Sequence, residues 1–150
     1  MALDIKQQFF YNHPPAPVWE FLTRPELLAQ WLMPTDFQPV VGHKFRFTTK
    51  PLPQLASDGV CHCEVTELVP FKKLSYTWKT GPGDGSISLD TLVVWTLTET
   101  ADGTELNLLH SGFKEKTNLD IYNGMTNGWK GNLEKIRTKL NAQKDAASHS

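Results

Sequence analysis

The 150-residue chain carries no excess of charge, only two cysteines and no long apolar run. Fifteen Lys and Arg stand against sixteen Asp and Glu, a formal net charge of −1, and no basic run or stripe forms. That argues against nucleic acid and anionic lipid as partners. Nowhere do apolar residues approach the ~20 in succession that a membrane-spanning helix needs. Cys61 and Cys63 sit too close together to staple a small secreted fold. The opening Met1-Ala-Leu-Asp-Ile-Lys-Gln has neither the charged nor the apolar region of a signal peptide. The expectation is a cytoplasmic protein with its own core. Its length suits one domain, here placed at residues 1–141, with 142–150 a disordered tail because no apolar period continues there.

Residues 3–11 alternate loosely enough for an opening strand. Pro14, Pro15 and Pro17 end it, since proline supplies no ladder donor. Val18, Phe21 and Leu22 follow at helical spacing. A second short helix carries Leu27, Leu28, Trp31 and Leu32 and stops before Pro34. It starts either with Thr23 as cap and Glu26 as box partner, or with Pro25 at the first helical position.

Between Lys44 and Phe113 the period changes to two. Phe45 and Phe47 share a face, as do Cys61, Cys63 and Val65, then Leu74, Tyr76 and Trp78, then Val93, Trp95 and Leu97, then Leu106, Leu108 and His110. Short turns rich in Gly, Asp and Pro separate these runs, so the strands pair antiparallel. In the last hairpin an even-numbered loop is favoured, because an odd one sets apolar against polar residues on both faces. A two-residue Asp102–Gly103 loop puts Trp95 opposite His110, and a four-residue loop puts Trp95 opposite Leu108. Either way Trp95 and His110 face the same interior. Leu92, Val94 and Leu109 interrupt the polar outer face, which is therefore partly covered or self-associating.

One segment is long enough to cover the apolar face. From about Asp120 to Leu140, Met125, Trp129, Leu133, Ile136 and Leu140 recur at spacings of four, four, three and four. Gly124, Gly128 and Gly131 weaken this helix by roughly 1 kcal/mol each relative to alanine. Either they allow tight packing against the sheet or short helices, or a bound molecule approaches there.

The residues Leu28-Ala-Gln-Trp31, Val41-Gly42-His43-Lys44-Phe45, Asp58-Gly59, Cys63-Glu-Val-Thr-Glu-Leu-Val-Pro70, Leu74-Ser-Tyr-Thr-Trp78, Val93-Val-Trp-Thr-Leu97, His110-Ser-Gly-Phe113 and Asn127-Gly-Trp129 come in an order that resembles the START-like (SRPBCC) superfamily. Within it, the chain resembles the family named for the activator of the heat-shock-protein-90 ATPase. The resemblance spans roughly residues 10 to 140 and implies an α+β helix-grip fold. In that fold a curved antiparallel sheet of about six strands wraps a long C-terminal helix, with two short helices after strand 1 and a cavity between sheet and helix.

A small, largely apolar ligand is the expected occupant of that cavity. Its candidate lining is Trp31, Phe45, Phe47, Tyr76, Trp78, Trp95, His110, Met125, Trp129 and Leu133, with Trp31 and Trp129 closing the two ends. Each aromatic has the alternative role of core filler, and His110 that of a satisfied core histidine. A chaperone is the alternative partner, with Leu92, Val94 and Leu109 as its contact patch. A further alternative is a cyclase- or hydrolase-like enzyme using His110 or Tyr76, with Asp36 or Glu64 at the mouth. No catalytic residue, metal or cofactor is assigned. Cys61 and Cys63 point to one face and His62 to the other, so the three cannot converge on one ion. Residues 81–85 have no Lys-Ser/Thr and read as a hairpin connector. The expected state is a monomer or weak homodimer.

Overall fold

The computed structural model describes residues 2–52, 57–114 and 117–148. Strand β1 (Ala2–Tyr11) ends at the prolines, and helix α1 (Pro15–Thr23) begins among them. Proline costs nothing at a first helical turn, where the N–H has no intrahelical acceptor. Helix α2 (Pro25–Trp31) follows after Arg24 alone, whose extended backbone is what a residue before proline adopts. Thr23 does not cap α2. Its hydroxyl donates back to the Trp19 carbonyl at 2.8 Å, so the Pro25 start is the one the chain uses.

The strands β2 (Lys44–Thr48), β3 (Val60–Val69), β4 (Lys73–Thr80), β5 (Leu89–Thr100) and β6 (Gly103–Lys114) build one antiparallel sheet in the order β1-β6-β5-β4-β3-β2. Strands β1 and β2 are thus opposite edges, and the two short helices carry the chain from one to the other. The β5–β6 loop is even-numbered, but its two residues are Ala101 and Asp102, with Thr100 paired to Gly103. Trp95 accordingly faces Leu108, and His110 faces Val93. The faces are those the apolar alternation demands, one step along from the Asp-Gly alignment.

Helix α3 (Leu119–Ser148) closes the inner face, burying Trp129, Leu133, Ile136 and Leu140 against the sheet. The backbone is helical past Leu140 to Ser148, through most of the segment from 142 expected as a tail. Residues 149 and 150 lie outside the described residues. On the outer face Leu92, Val94 and Leu109 are half-buried, with Val94 paired directly to Leu109.

The approach to β3 depends on one glycine. Gly59 has φ +88°, and a Cβ there would meet the carbonyl oxygen of Thr49. Both the left-handed backbone and the contact exclude a side chain. Gly59→Ala should therefore lose about 1–3 kcal/mol in urea unfolding. Unchanged stability would contradict this packing.

Candidate functional site

The inward aromatics meet one another. Trp95 lies edge-on to Trp31 and to Trp129, with ring centroids 6.0 and 5.4 Å apart, and Trp31 and Trp129 are themselves 6.4 Å apart. Trp31 and Trp129 are thus neighbours in the core and do not close opposite ends of a hollow. Phe45, Phe47 and Tyr76 form a second group with centroids 5.3 to 6.1 Å apart. Trp31, Phe45, Phe47, Tyr76, Trp95, His110, Trp129 and Leu133 are at most 2% exposed.

Their polar tips are satisfied internally. The Trp31 indole N–H donates to the Phe21 carbonyl at 2.7 Å, and the Trp95 indole N–H to the Tyr76 hydroxyl oxygen at 3.0 Å. Burial pushes the Tyr76 phenol far above its ordinary range.

His110 joins two of the tryptophans. Thr91 Oγ1 donates its proton to the Trp78 carbonyl at 2.8 Å, so toward His110 Nε2, 2.7 Å away, it can only accept. Nε2 therefore carries the imidazole proton. Nδ1 is left to accept the Trp129 indole N–H at 3.1 Å. The neutral ring has both nitrogens in use, and its burial brings its pKa down to about 3. His110 is a satisfied core histidine whose role is to hold Trp129 in place.

Open space begins at the rim of this cluster. A pocket of about 350 Å³, open to solvent on one side, lies between the first half of α3 and the ends of β3 and β4. Trp78, Cys61 and Thr80 form its sheet wall, and Ile121, Gly124, Met125, Gly128, Trp129 and Asn132 its helix wall. Leu32 and Met33, after α2, and Thr49, Leu52, Ser57, Gly59 and Val60 complete it. Of the ten aromatic, aliphatic and histidine side chains expected from the sequence, Trp78, Met125 and Trp129 border this space. Phe45 touches a separate recess on the outer face, about 390 Å³, bordered by Lys44, Arg46, His62, Glu64 and Lys79. That recess is larger but flatter and strongly charged, whereas the helix-side pocket is mostly apolar.

Two of the helix glycines border this space. A Cβ built at Gly124, Gly128 or Gly131 would meet nothing within 4 Å. Tight packing within the chain is thus not what requires them. Gly124 and Gly128 border the pocket; nothing in the structure explains Gly131. These glycines, with the spacing of Met125 and Trp129, were the sequence signal for the helix wall. The loop residues and Thr80 had none, because their approach depends on tertiary turns.

The Cys61 and Cys63 sulfurs are 3.6 Å apart and buried, while His62 is exposed on the other face. Burial, reinforced by Cys63, pushes the Cys61 thiol up, so it serves as an unreactive apolar wall. Of the groups considered for acid–base work, His110, Tyr76, Asp36 and Glu64 do not border the pocket. Among the described residues, no cluster of three or more His, Cys, Asp or Glu could hold a metal ion, and no helix is long and apolar enough to cross a membrane.

A six-stranded curved sheet gripping a long terminal helix, with two short helices after the first strand, is the helix-grip fold of START-like proteins. The chain belongs to the family described as Activator of Hsp90 ATPase homolog 1-like protein, whose model matches residues 12–141. Among solved structures it is similar to protein MLL2253 of Mesorhizobium loti, at 36% identity and TM-score 0.83 over 93% of this chain and 98% of that one. It is also similar to protein BH1534 of Bacillus halodurans, at 30% identity and TM-score 0.71 over 91% and 95%. Protein NE0264 of Nitrosomonas europaea, at 21% identity and TM-score 0.73 over 95% and 97%, shares the fold. Among curated proteins nothing matches. The fold is in general a ligand-binding one.

Neutral His110 has a consequence for stability. Its folded pKa lies below the unfolded value of 6.5, so its contribution is complete above that pH. As the pH falls the unfolded chain takes up the proton first, and stability is lost. The loss should run at about 1.4 kcal/mol for each pH unit below 6.5. Urea unfolding followed by tryptophan fluorescence between about pH 7 and pH 5 checks this. In His110→Phe this component should vanish, and the variant should be less stable at neutral pH because the Trp129 N–H loses its acceptor. A slope that His110→Phe leaves unchanged would contradict the assignment.

Proposed function

We propose that the protein binds a small, largely apolar molecule in the pocket between the first half of α3 and the β3–β4 end of the sheet. The observation that carries this reading is the pair Gly124 and Gly128. They face open pocket, no packing within the chain requires them, and each costs the helix about 1 kcal/mol. A glycine kept at that cost beside free space is suited to a guest whose surface lies against the helix backbone. The volume falls in the usual range of ligand sites, ~300–1,000 Å³.

Trp78 and Trp129, 4% and 2% exposed, meet the pocket with an edge, and Met125 adds an adaptable apolar wall. Trp31, Phe45, Phe47, Tyr76, Trp95, His110 and Leu133 act in this reading behind the site, as the packed base that keeps those walls upright. Burying roughly 200 Å² of apolar ligand surface would favour binding by about 5 kcal/mol before ordering costs. Micromolar affinity therefore needs a rigid ligand or a polar contact. The proposal keeps the single 1–141 domain and the cytoplasmic location expected from the sequence, as a monomer or weak homodimer.

A second reading, a chaperone partner, draws on the family's description and on the adjacent half-buried Val94 and Leu109 of the outer face. The two separate by variant. Val94→Glu should abolish co-purification with an Hsp90-type chaperone if that patch docks one, and should leave pocket binding unchanged.

Nile red, a neutral fluorogenic dye, tests the pocket itself. Native protein should give a saturable emission increase. Gly128→Leu should remain folded, since the added side chain has room, and should weaken dye binding about tenfold or more. Equal binding by both proteins would contradict the site.

A further inference from the structure

We infer that the pocket selects an uncharged ligand with a carbonyl-type group on each of two edges; this rests on the pocket reading above. One group meets the Trp78 indole N–H at the sheet wall, the other the Asn132 amide at the helix wall.

Of the four tryptophans in the inner cluster, three have a partner for the indole N–H. Trp31 donates to the Phe21 carbonyl, Trp95 to the Tyr76 hydroxyl oxygen and Trp129 to His110. Trp78 differs. It is 4% exposed, and among the described residues its N–H has no partner, yet its nitrogen is not sealed from solvent. Because Trp78 borders the pocket, the narrow edge it leaves open there is the one that carries the donor. A largely buried donor without a partner retains its desolvation cost until an acceptor arrives.

The helix wall has a counterpart. Asn132 is half-buried and shares its helix face with Ile121, Gly124, Met125 and Gly128, none of which has a polar side chain. Among the described residues neither Oδ1 nor Nδ2 has a partner, and both remain accessible. Asparagine is a poor helix former because its amide competes for backbone groups, but Asn132, in the middle of α3, bonds to none. Its amide can donate to a carbonyl or accept from a hydroxyl. The other polar side chains of the lining are in a different state. Ser57 Oγ accepts the Gly59 N–H at 3.1 Å, Thr49 is exposed, and Thr80 Oγ1 is sealed within the wall.

None of the described residues bordering the pocket is Asp, Glu, Lys, Arg or His. A ligand carboxylate or phosphate seated there would keep the cost of leaving water, with no cation to offset it.

Displacement of Nile red at neutral pH by three compounds of matched shape tests this: 2,6-diacetylnaphthalene, 2,6-diethylnaphthalene and naphthalene-2,6-dicarboxylate. The diketone should displace the dye from native protein, and the dicarboxylate should be about tenfold weaker or worse. Asn132→Leu and Trp78→Phe should each weaken the diketone about fivefold more than they weaken diethylnaphthalene. Asn132→Leu changes a side chain with no internal hydrogen bond, so it decides the matter even if Trp78→Phe does not fold. If Nile red binds but the diketone fails to displace it, or the dicarboxylate matches the diketone, the inference is overturned while the pocket stands. Asn132→Leu affecting both neutral compounds alike, or neither, has the same consequence. If native protein does not bind Nile red, the pocket reading fails and this inference fails with it.

Discussion

The wall of the candidate site depends on a single line of hydrogen bonds through the core. The Trp129 indole donates to His110, His110 to Thr91, and Thr91 to the backbone of Trp78. It links α3, β6, β5 and β4, and both of its ends belong to residues that border the pocket. The order of donors is forced. Thr91 has one proton and spends it on a carbonyl, so the imidazole has one usable tautomer and one free acceptor for the indole. Burial disfavours the imidazolium and keeps the ring neutral far below its usual titration range, so that order persists.

Around this line the chain divides its aromatics between two tasks. Trp31 and Trp95 fill the space between sheet and helix, edge to face, with both indole N–H groups hydrogen-bonded. Trp78 and Trp129 touch the same cluster on one side and open pocket on the other. On its helix wall the pocket meets no side chain at Gly124 and Gly128. The hollow is therefore a local absence at the end of a solid core.

Parity made much of this legible in the sequence. Alternation placed Phe45, Phe47, Tyr76, Trp78, Trp95 and His110 on the inner face, and the apolar match in β5 and β6 required an even loop. The spacing of Trp129, Leu133, Ile136 and Leu140 defined the covering face of α3. What parity cannot supply is depth. Trp78 and Trp95 obey the same alternation, yet one borders the pocket and the other is sealed, because β4 ends near the opening and Trp95 sits mid-sheet. Thr91, the partner that fixes the His110 tautomer, is nineteen residues away in the chain and gave no local signal. Thr80 read as one more strand threonine. Its distinction, a buried hydroxyl without a partner, exists only once the neighbours are in place.

The central claim is that Trp78 and Trp129 meet a guest while Trp31 and Trp95 do not. Indole N–H resonances, assigned by single Trp→Phe substitutions and followed during titration with Nile red, test it most directly. The Trp78 and Trp129 signals should move together and saturate, with Trp31 and Trp95 nearly still. Equal shifts of these four, or none at a concentration that saturates the Nile red emission, would contradict the account.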